Sequence, residues 1–369
     1  MMINSVNKNS QHGVALVVVM LIIALCVIVA SRMSSALIFQ VQRTDNLNSN
    51  QQAYWYAMGA EAFAKSVLSL SFKGENNKQV THLGQPWAEG EKAFPVDLGE
   101  ISGEITDLQS CFNVNALVNP EQSRDDLPID SDEQDAPQDD NAQPAADETD
   151  EDADNESGKE IKNKAKQSFI ELLTLLEIEG VDRYTAESMA DALQDWLDDD
   201  AVLVSPNGAE DSDYAAKQYP YLAANSLMTS VNELRLVEHF SAAAILAMQD
   251  YVCAIPNSYL HQININTIDQ SRIKLLQALL GGIDEGKAQD ILAERPEQGF
   301  KDLTDFYNNS ALKGINNVQQ WRQQFVVDSD YFMLTTKTSF NDSYFSMKSI
   351  MKINKDESIH VIDRIIGAN

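Results

Sequence analysis

Seven carboxylates lie within 19 residues near the middle of the chain, with no lysine or arginine among them, and could bind a cation. Carboxylates at this density repel one another unless they are solvated or neutralised. Ca²⁺ takes roughly six to eight oxygen ligands and tolerates irregular geometry, although the spacing here is not that of an EF-hand. The stretch is therefore either a solvated acidic loop or a calcium site. Its members are Asp195, Asp198, Asp199, Asp200, Glu210, Asp211 and Asp213.

Residues that could support catalysis are scattered through the rest of the chain. The five histidines stand in no metal-binding or nucleophile motif, and the sequence has no Gly-x-Ser-x-Gly, P-loop or Cys-x-x-Cys pattern. We therefore predict that the protein is not an enzyme. The histidines are His12, His82, His239, His261 and His360.

The charge of the chain argues against nucleic acid as a partner. The formal net charge is −29, and no run of basic residues offsets it. Two leucine-rich stretches followed by Gly-x-Asp, at 180–182 and 282–284, resemble helix-hairpin-helix units. Asp284 and Glu285 stand where a phosphate would approach the second hairpin, so the units are predicted to be a structural helix-packing module.

The three cysteines fall into two groups. Cys26 lies inside an apolar run, whereas Cys111 and Cys253 lie in sequence typical of folded domains. Two cysteines outside the cytoplasm can pair, so we predict a disulfide between Cys111 and Cys253. The alternative is a pair of buried free thiols.

An uncharged apolar run near the N-terminus predicts a single membrane span. After Lys8 the next charged side chain is Arg32, and residues 14–30 between them are apolar. Lys8 precedes the run and the acidic bulk of the chain follows it, so the positive-inside tendency places the first residues in the cytoplasm and the rest outside. A cleaved signal peptide is the alternative, but a helical pattern without proline continues to Leu70, for a helix about 85 Å long. A filament subunit needs a helix of that length.

The beginning of this helix resembles a type IV prepilin. Residues 11–13 followed by the apolar residues 14–18 are similar to a prepilin cleavage site, and residues 43–47 and 52–62 resemble the minor pseudopilin K family of type II secretion systems. The resemblance implies that prepilin peptidase cuts after Gly13 and that Val14 becomes the methylated N-terminus. Most pilins have Glu where this chain has Val18, and the K family shares that absence.

The resemblance extends to Cys111–Leu117 and to the acidic stretch, which matches the family pattern Asp-Trp-x-Asp-x-Asp followed by Gly-Ala-Glu-Asp-x-x-Tyr. The K family binds calcium in this region. The resemblance therefore implies one or two Ca²⁺ ions, with Asp199 and Asp213 as reserve ligands. The implied ligands are Asp195, Asp198, Asp200, Glu210 and Asp211.

The order of patterns is a long helix, strands, a large helical region and strands again. With the resemblance, this order implies an α+β fold in which a pilin-like long helix and small antiparallel sheet carry a large inserted all-α domain (helix-hairpin-helix/SAM-like). A segment with 17 acidic and two basic residues, 121–160, is predicted to be a disordered loop. The predicted divisions are a leader 1–13, a transmembrane half-helix 14–31, a periplasmic helix with the first strands 32–109, the inserted domain 110–324 and the last strands 325–369.

The resemblance implies a minor pseudopilin at the tip of the type II secretion pseudopilus. Such a subunit initiates and caps a fibre that drives exoprotein export across the outer membrane. The implied partners are minor pseudopilins I and J, prepilin peptidase and the inner-membrane secretion platform. The implied location is the bacterial inner membrane, crossed once, with most of the chain in the periplasm. The alternatives are a membrane-anchored periplasmic calcium-binding or adhesive module and a competence-type DNA-binding pilin.

Overall fold

A computed structural model describes residues 12–72, 80–118, 164–315, 318–341 and 343–367 of the chain. The predicted acidic loop 121–160 lies outside the described residues, as does the predicted leader up to residue 11.

The described part of the chain contains one very long helix, several short ones and strands of 2 to 11 residues. The helices are α1 (His12–Ser71), α2 (164–175), α3 (Arg183–Leu197), α4 (Asp211–Ala215), α5 (Ala242–Met248), α6 (Ile273–Leu279), α7 (Glu285–Ala293) and α8 (Leu303–Tyr307). The strands are β1 (Lys92–Val96), β2 (Gly99–Asp107), β3 (Phe112–Asn113), β4 (Val252–Cys253), β5 (Ile263–Asn264), β6 (Phe325–Val326), β7 (Tyr331–Phe340), β8 (Ser343–Ile353) and β9 (Ile359–Ile366).

Helix α1 has 60 residues and is continuous, as the proline-free pattern predicts. At 1.5 Å per residue it is about 90 Å long. Its N-terminal half contains an 18-residue window with a mean hydropathy of 3.3, none of which is buried against the rest of the chain. By length and composition this half can cross a membrane, and it is the one such helix among the described residues.

The C-terminal part of α1 packs on an antiparallel sheet of order β1-β2-β7-β8-β9. Phe332 and Leu334 of β7, with Met351 and Ile353 of β8, pack against this helix. One ion pair fastens the helix to the sheet: the Arg364 guanidinium donates to both Glu61 carboxylate oxygens at 2.7 and 2.9 Å, and the Ser349 hydroxyl donates at 2.8 Å. The buried side chains between helix and sheet are Ala64, Leu68, Phe72, Trp87, Phe332, Leu334, Met351 and Ile353.

The chain leaves the sheet after β2 and returns as β7, which is the neighbour of β2 in the sheet. The described residues between them, 108–118, 164–315 and 318–330, form a region with its own hydrophobic core, called here the helical block. Each stretch predicted as a helix-hairpin-helix unit contains two helices, α2 with α3 and α6 with α7, and the turns between them use Gly180, Gly281 and Gly282 at positive φ. Two short parallel pairs, β3 with β4 and β5 with β6, also lie in the block and were not predicted. The division boundaries given above remain predictions.

A disulfide and buried hydrogen bonds stabilise the boundary between the sheet and the helical block. Cys111 and Cys253 form a disulfide with their Cα atoms 5.9 Å apart. At the end of β2 the buried Asp107 carboxylate accepts hydrogen bonds from the hydroxyls of Thr267 (2.5 Å) and Ser329 (2.6 Å). Burial raises the pKa of Asp107 to about 6 although these donors favour the charged form. These contacts join the end of β2 and the start of the block to Cys253 and Thr267 within the block and to Ser329, which lies just before β7.

Candidate metal centre

The first two candidate ligands belong to the last turn of α3. Asp182 is the N-cap of this helix, and its carboxylate accepts a hydrogen bond from the Thr185 backbone N–H at 2.8 Å; Asp198 is the C-cap. Its apolar face, which includes Met189 and Leu193, is buried in the core of the helical block. Asp195 and Asp198 are three residues apart, so the helix presents them on one side.

The third candidate ligand comes from the start of α4. After α3 the chain reverses, and Glu210 occupies the N-cap of α4, where its backbone N–H donates to the Asp213 carboxylate at 3.0 Å. The reversal brings Glu210 beside Asp195 and Asp198. One carboxylate oxygen from each of the three lies within 4.8 Å of the others, and no side chain is more than 3% exposed.

Four oxygens of this group are buried without a hydrogen-bond partner. They are Asp195 Oδ2, Asp198 Oδ1 and both carboxylate oxygens of Glu210. The remaining Asp195 oxygen accepts from the Val204 backbone N–H at 2.9 Å. A buried carboxylate oxygen without a partner is costly, and carboxylate oxygens are the ligands that Ca²⁺ prefers. The residues therefore fit a hard divalent cation.

The electrostatics of the group disfavour its charged form without a cation. Burial, reinforced by neighbouring carboxylates, raises the pKa of Asp198 to about 7, of Glu210 to about 7 and of Asp195 to about 6. Each pKa is higher in the folded chain than in the unfolded chain, so the folded chain binds more protons between about pH 4 and 7. Without a cation the three groups therefore lower the stability of the fold as the pH rises through that range.

The other predicted ligands surround the group and do not join it. Asp200 accepts from the Val202 backbone N–H at 2.7 Å, and Asp211 accepts from the Ala223 backbone N–H at 2.9 Å. Both still act on the group through their charge, which contributes to the raised pKa of Glu210. The reserve residues Asp199 and Asp213 are exposed. Three of the five predicted ligands thus come together, and the other two hold the adjoining loops.

Sequence reasoning missed two features that shape the centre. Gly208 lies so close to Asp195 that a Cβ at this position would collide with the Asp195 carboxylate. The buried Trp196 and Tyr214 rings meet edge to face with their centroids 5.1 Å apart, and this contact joins the last turn of α3 to α4. The glycine two residues before Glu210, and the aromatic residues next to Asp195 and after Asp213, are the signals that could have indicated both features.

Comparison with known proteins decides the family. Residues 110–257 and 263–328 match two profiles of the family Type II secretion system (T2SS), protein K. The chain is 36% identical to type II secretion system protein K of Aeromonas hydrophila, over 97% of both chains. It is 34% identical to protein K of Dickeya chrysanthemi, over 98% of both. The chain belongs to the type II secretion system protein K family.

A solved structure supports the same assignment for this protein K family member. The chain resembles one in the crystal structure of the GspK-GspI-GspJ complex from the type 2 secretion system of enterotoxigenic Escherichia coli, with a TM-score of 0.69 and 30% identity. The match covers 89% of this chain and all of the other. The predicted α+β architecture, with its long N-terminal helix, antiparallel sheet and substantial helical content, is confirmed.

Family membership settles the class of function. Members of the protein K family are minor pseudopilins, which are structural components of type II secretion. The apolar half of α1 is the inner-membrane anchor, and most of the chain lies in the periplasm. Neither the adhesive module nor the DNA-binding pilin is favoured.

Proposed function

We propose that this protein K family member initiates and caps the pseudopilus at its tip, together with minor pseudopilins I and J, and that it does so as a non-enzymatic subunit. The carrying observation is the match of 89% of the chain to a protein solved in complex with those two partners. The fibre capped in this way would drive exoproteins through the outer membrane.

Three features of the chain suit the end of a fibre. Val18 stands where most pilins carry Glu, so the chain lacks a membrane-buried carboxylate that could pair with a neighbour's N-terminal amine. The exposed N-terminal half of α1 remains available for packing on other subunits. The helical block adds bulk between two neighbouring strands, and this bulk would obstruct a further subunit above it. Prepilin peptidase and the secretion platform would act on the chain before assembly.

The partner proposal predicts a stable three-protein complex. Full-length chain purified in mild detergent from cells that produce minor pseudopilins I and J should carry both in equal amounts. A chain that begins at Arg32 lacks the membrane half of α1, so it should bind minor pseudopilins I and J weakly or not at all. Purification of the full-length chain without either partner would contradict the proposal.

The three-carboxylate group is proposed to hold one or two Ca²⁺ ions through Asp195, Asp198 and Glu210, with Asp200 and Asp211 in support. The four buried oxygens without partners support this assignment. Calcium supplies positive charge that offsets the repulsion among the carboxylates. The chain's own residues position those carboxylates, and Asp200 and Asp211 hold the adjoining loops.

Calcium is expected to raise the melting temperature of the full-length chain in detergent. At a hundredfold excess over the dissociation constant, binding adds about 3 kcal/mol, or roughly 5 to 10 °C. Asp198→Ala combined with Glu210→Ala should remove most of this response, and magnesium should replace calcium poorly because it demands a tighter octahedron. The matched control neutralises acidic residues between Asp125 and Asp154, and it should keep the response. If the control loses the response and the double variant keeps it, the site has been placed wrongly.

A further inference from the structure

Three consecutive apolar side chains beside the metal centre project into solvent. Val202 is 71% exposed, Leu203 45% and Val204 41%, and they are called here the apolar loop. Exposed apolar residues that stand singly need no explanation, but three in a row on a periplasmic protein indicate a contact surface.

The apolar loop is held in place by the carboxylates around the metal centre. The Val202 backbone N–H donates to Asp200 at 2.7 Å, and the Val204 backbone N–H donates to Asp195 at 2.9 Å. The next residue, Ser205, donates its hydroxyl to Asp191 and accepts the Gly208 N–H at its carbonyl, 3.0 Å away. A loop fixed in this way loses little conformational entropy when another surface covers it.

The residues that follow the apolar loop are also held in place, by an exposed aromatic residue and a histidine. The Tyr184 hydroxyl donates to the Asn207 side-chain carbonyl at 2.8 Å, and the ring is 63% exposed. On the other side of the same residue, the Asn207 backbone carbonyl lies 3.2 Å from the His239 ring. The side chains of the apolar loop, residues 202–204, are called here the apolar loop surface.

The charge around this surface limits what can cover it. Seven carboxylates and no lysine or arginine lie between residues 195 and 213, and Asp199 is exposed beside the loop. One or two divalent cations neutralise only part of that charge. A second copy of this chain, with its net charge of −29, and an anionic membrane are both repelled. A protein surface with apolar residues bordered by lysine or arginine is complementary.

We propose that the apolar loop surface docks an apolar patch, bordered by basic residues, on a protein other than this chain. Cation binding at Asp195 would hold the loop in position for this contact, and this part of the proposal rests on the calcium site proposed above. The docking surface itself requires only the exposed side chains and the surrounding negative charge.

Secretion by cells that carry single substitutions tests the surface. Leu203→Asp is expected to lower exoprotein secretion about tenfold, the effect of losing a central contact residue. Asp199→Lys should also lower secretion, because it repels a basic border. The matched control is Leu246→Asp, which changes a leucine of the same block that is 60% exposed, and it should secrete normally. Wild-type secretion by Leu203→Asp would overturn the proposal.

Cross-linking identifies what lies on the surface. A benzoylphenylalanine probe in place of Leu203, in the full-length chain of secreting cells, should join one other protein at a peptide that contains lysine or arginine. A cross-link only to a second copy of this chain, only to lipid, or to nothing would overturn the proposal.

The calcium response separates this proposal from the proposed metal site. Leu203→Asp should keep the calcium-induced rise in melting temperature, because Leu203 supplies no carboxylate. If calcium leaves the wild-type melting temperature unchanged while Leu203→Asp abolishes secretion, the metal site fails and the docking surface stands. If calcium stabilises the chain and Leu203→Asp secretes normally, the docking surface fails and the metal site stands.

Discussion

Replacing both Cys111 and Cys253 by serine is expected to lower the free energy of unfolding by about 5 kcal/mol. The two cysteines are separated by 142 residues, and a cross-link across so long a loop removes much of the entropy of the unfolded chain. The loss is measured by urea unfolding of the full-length chain in detergent, followed by tryptophan fluorescence. Because β3 and β4 pair at the same place, the two ends should stay adjacent in the folded variant.

The matched control for the disulfide is Cys26→Ser. Cys26 is a free, exposed cysteine of the membrane half of α1, so its replacement should leave the unfolding curve unchanged. Dithiothreitol should reproduce the double variant in the wild-type chain. Thiol labelling of the unfolded, unreduced chain should find one reactive cysteine. Three labelled cysteines would refute the bridge.

Gly13→Leu is expected to stop maturation and, with it, secretion. Cleavage after Gly13 is proposed to release Val14 as the N-terminus, and a large side chain at the cleavage position should prevent peptidase access. Immunoblotting should show a longer precursor that stays in the inner membrane. Mass spectrometry of the wild-type chain should show a methylated Val14.

A change elsewhere in the leader provides the control for this prediction. Asn9→Ala keeps Gly13 and the apolar run, so it should mature and secrete normally. Normal processing of Gly13→Leu would remove the basis for prepilin maturation, although membership of the protein K family would stand.

The large elements of the fold were predictable because their patterns are long. The apolar and proline-free stretch from Val14 to Leu70 corresponds to α1, and the alternation around Phe332 and Leu334 corresponds to β7. The parallel pairs β3–β4 and β5–β6 were not predictable, since two residues carry no periodicity. Their partners are also far apart in sequence, and contacts made by the whole fold decide the pairing.

The candidate site was predictable as a region but not as a set of ligands. Helical spacing places Asp195 and Asp198 together, but nothing local shows that residues 199–209 reverse the chain onto them. Asp200 and Asp211 have the same chemistry as the other three, yet their oxygens accept backbone N–H groups of nearby loops. The close approach of Gly208 to Asp195 is also a product of that reversal.

The position of the helical block between β2 and β7 governs the order in which the chain can fold. In the sheet Gly99 pairs with Phe340 and Asp107 with Phe332, so β2 and β7 are neighbours although the whole helical block separates them in sequence. Contacts so distant in sequence form slowly, and β2 is synthesised long before its partner β7. Until then the β1–β2 hairpin keeps an unpaired edge that invites aggregation. The block has its own core and can fold first, which brings the two strand ends together and leaves closure of the sheet as the final step.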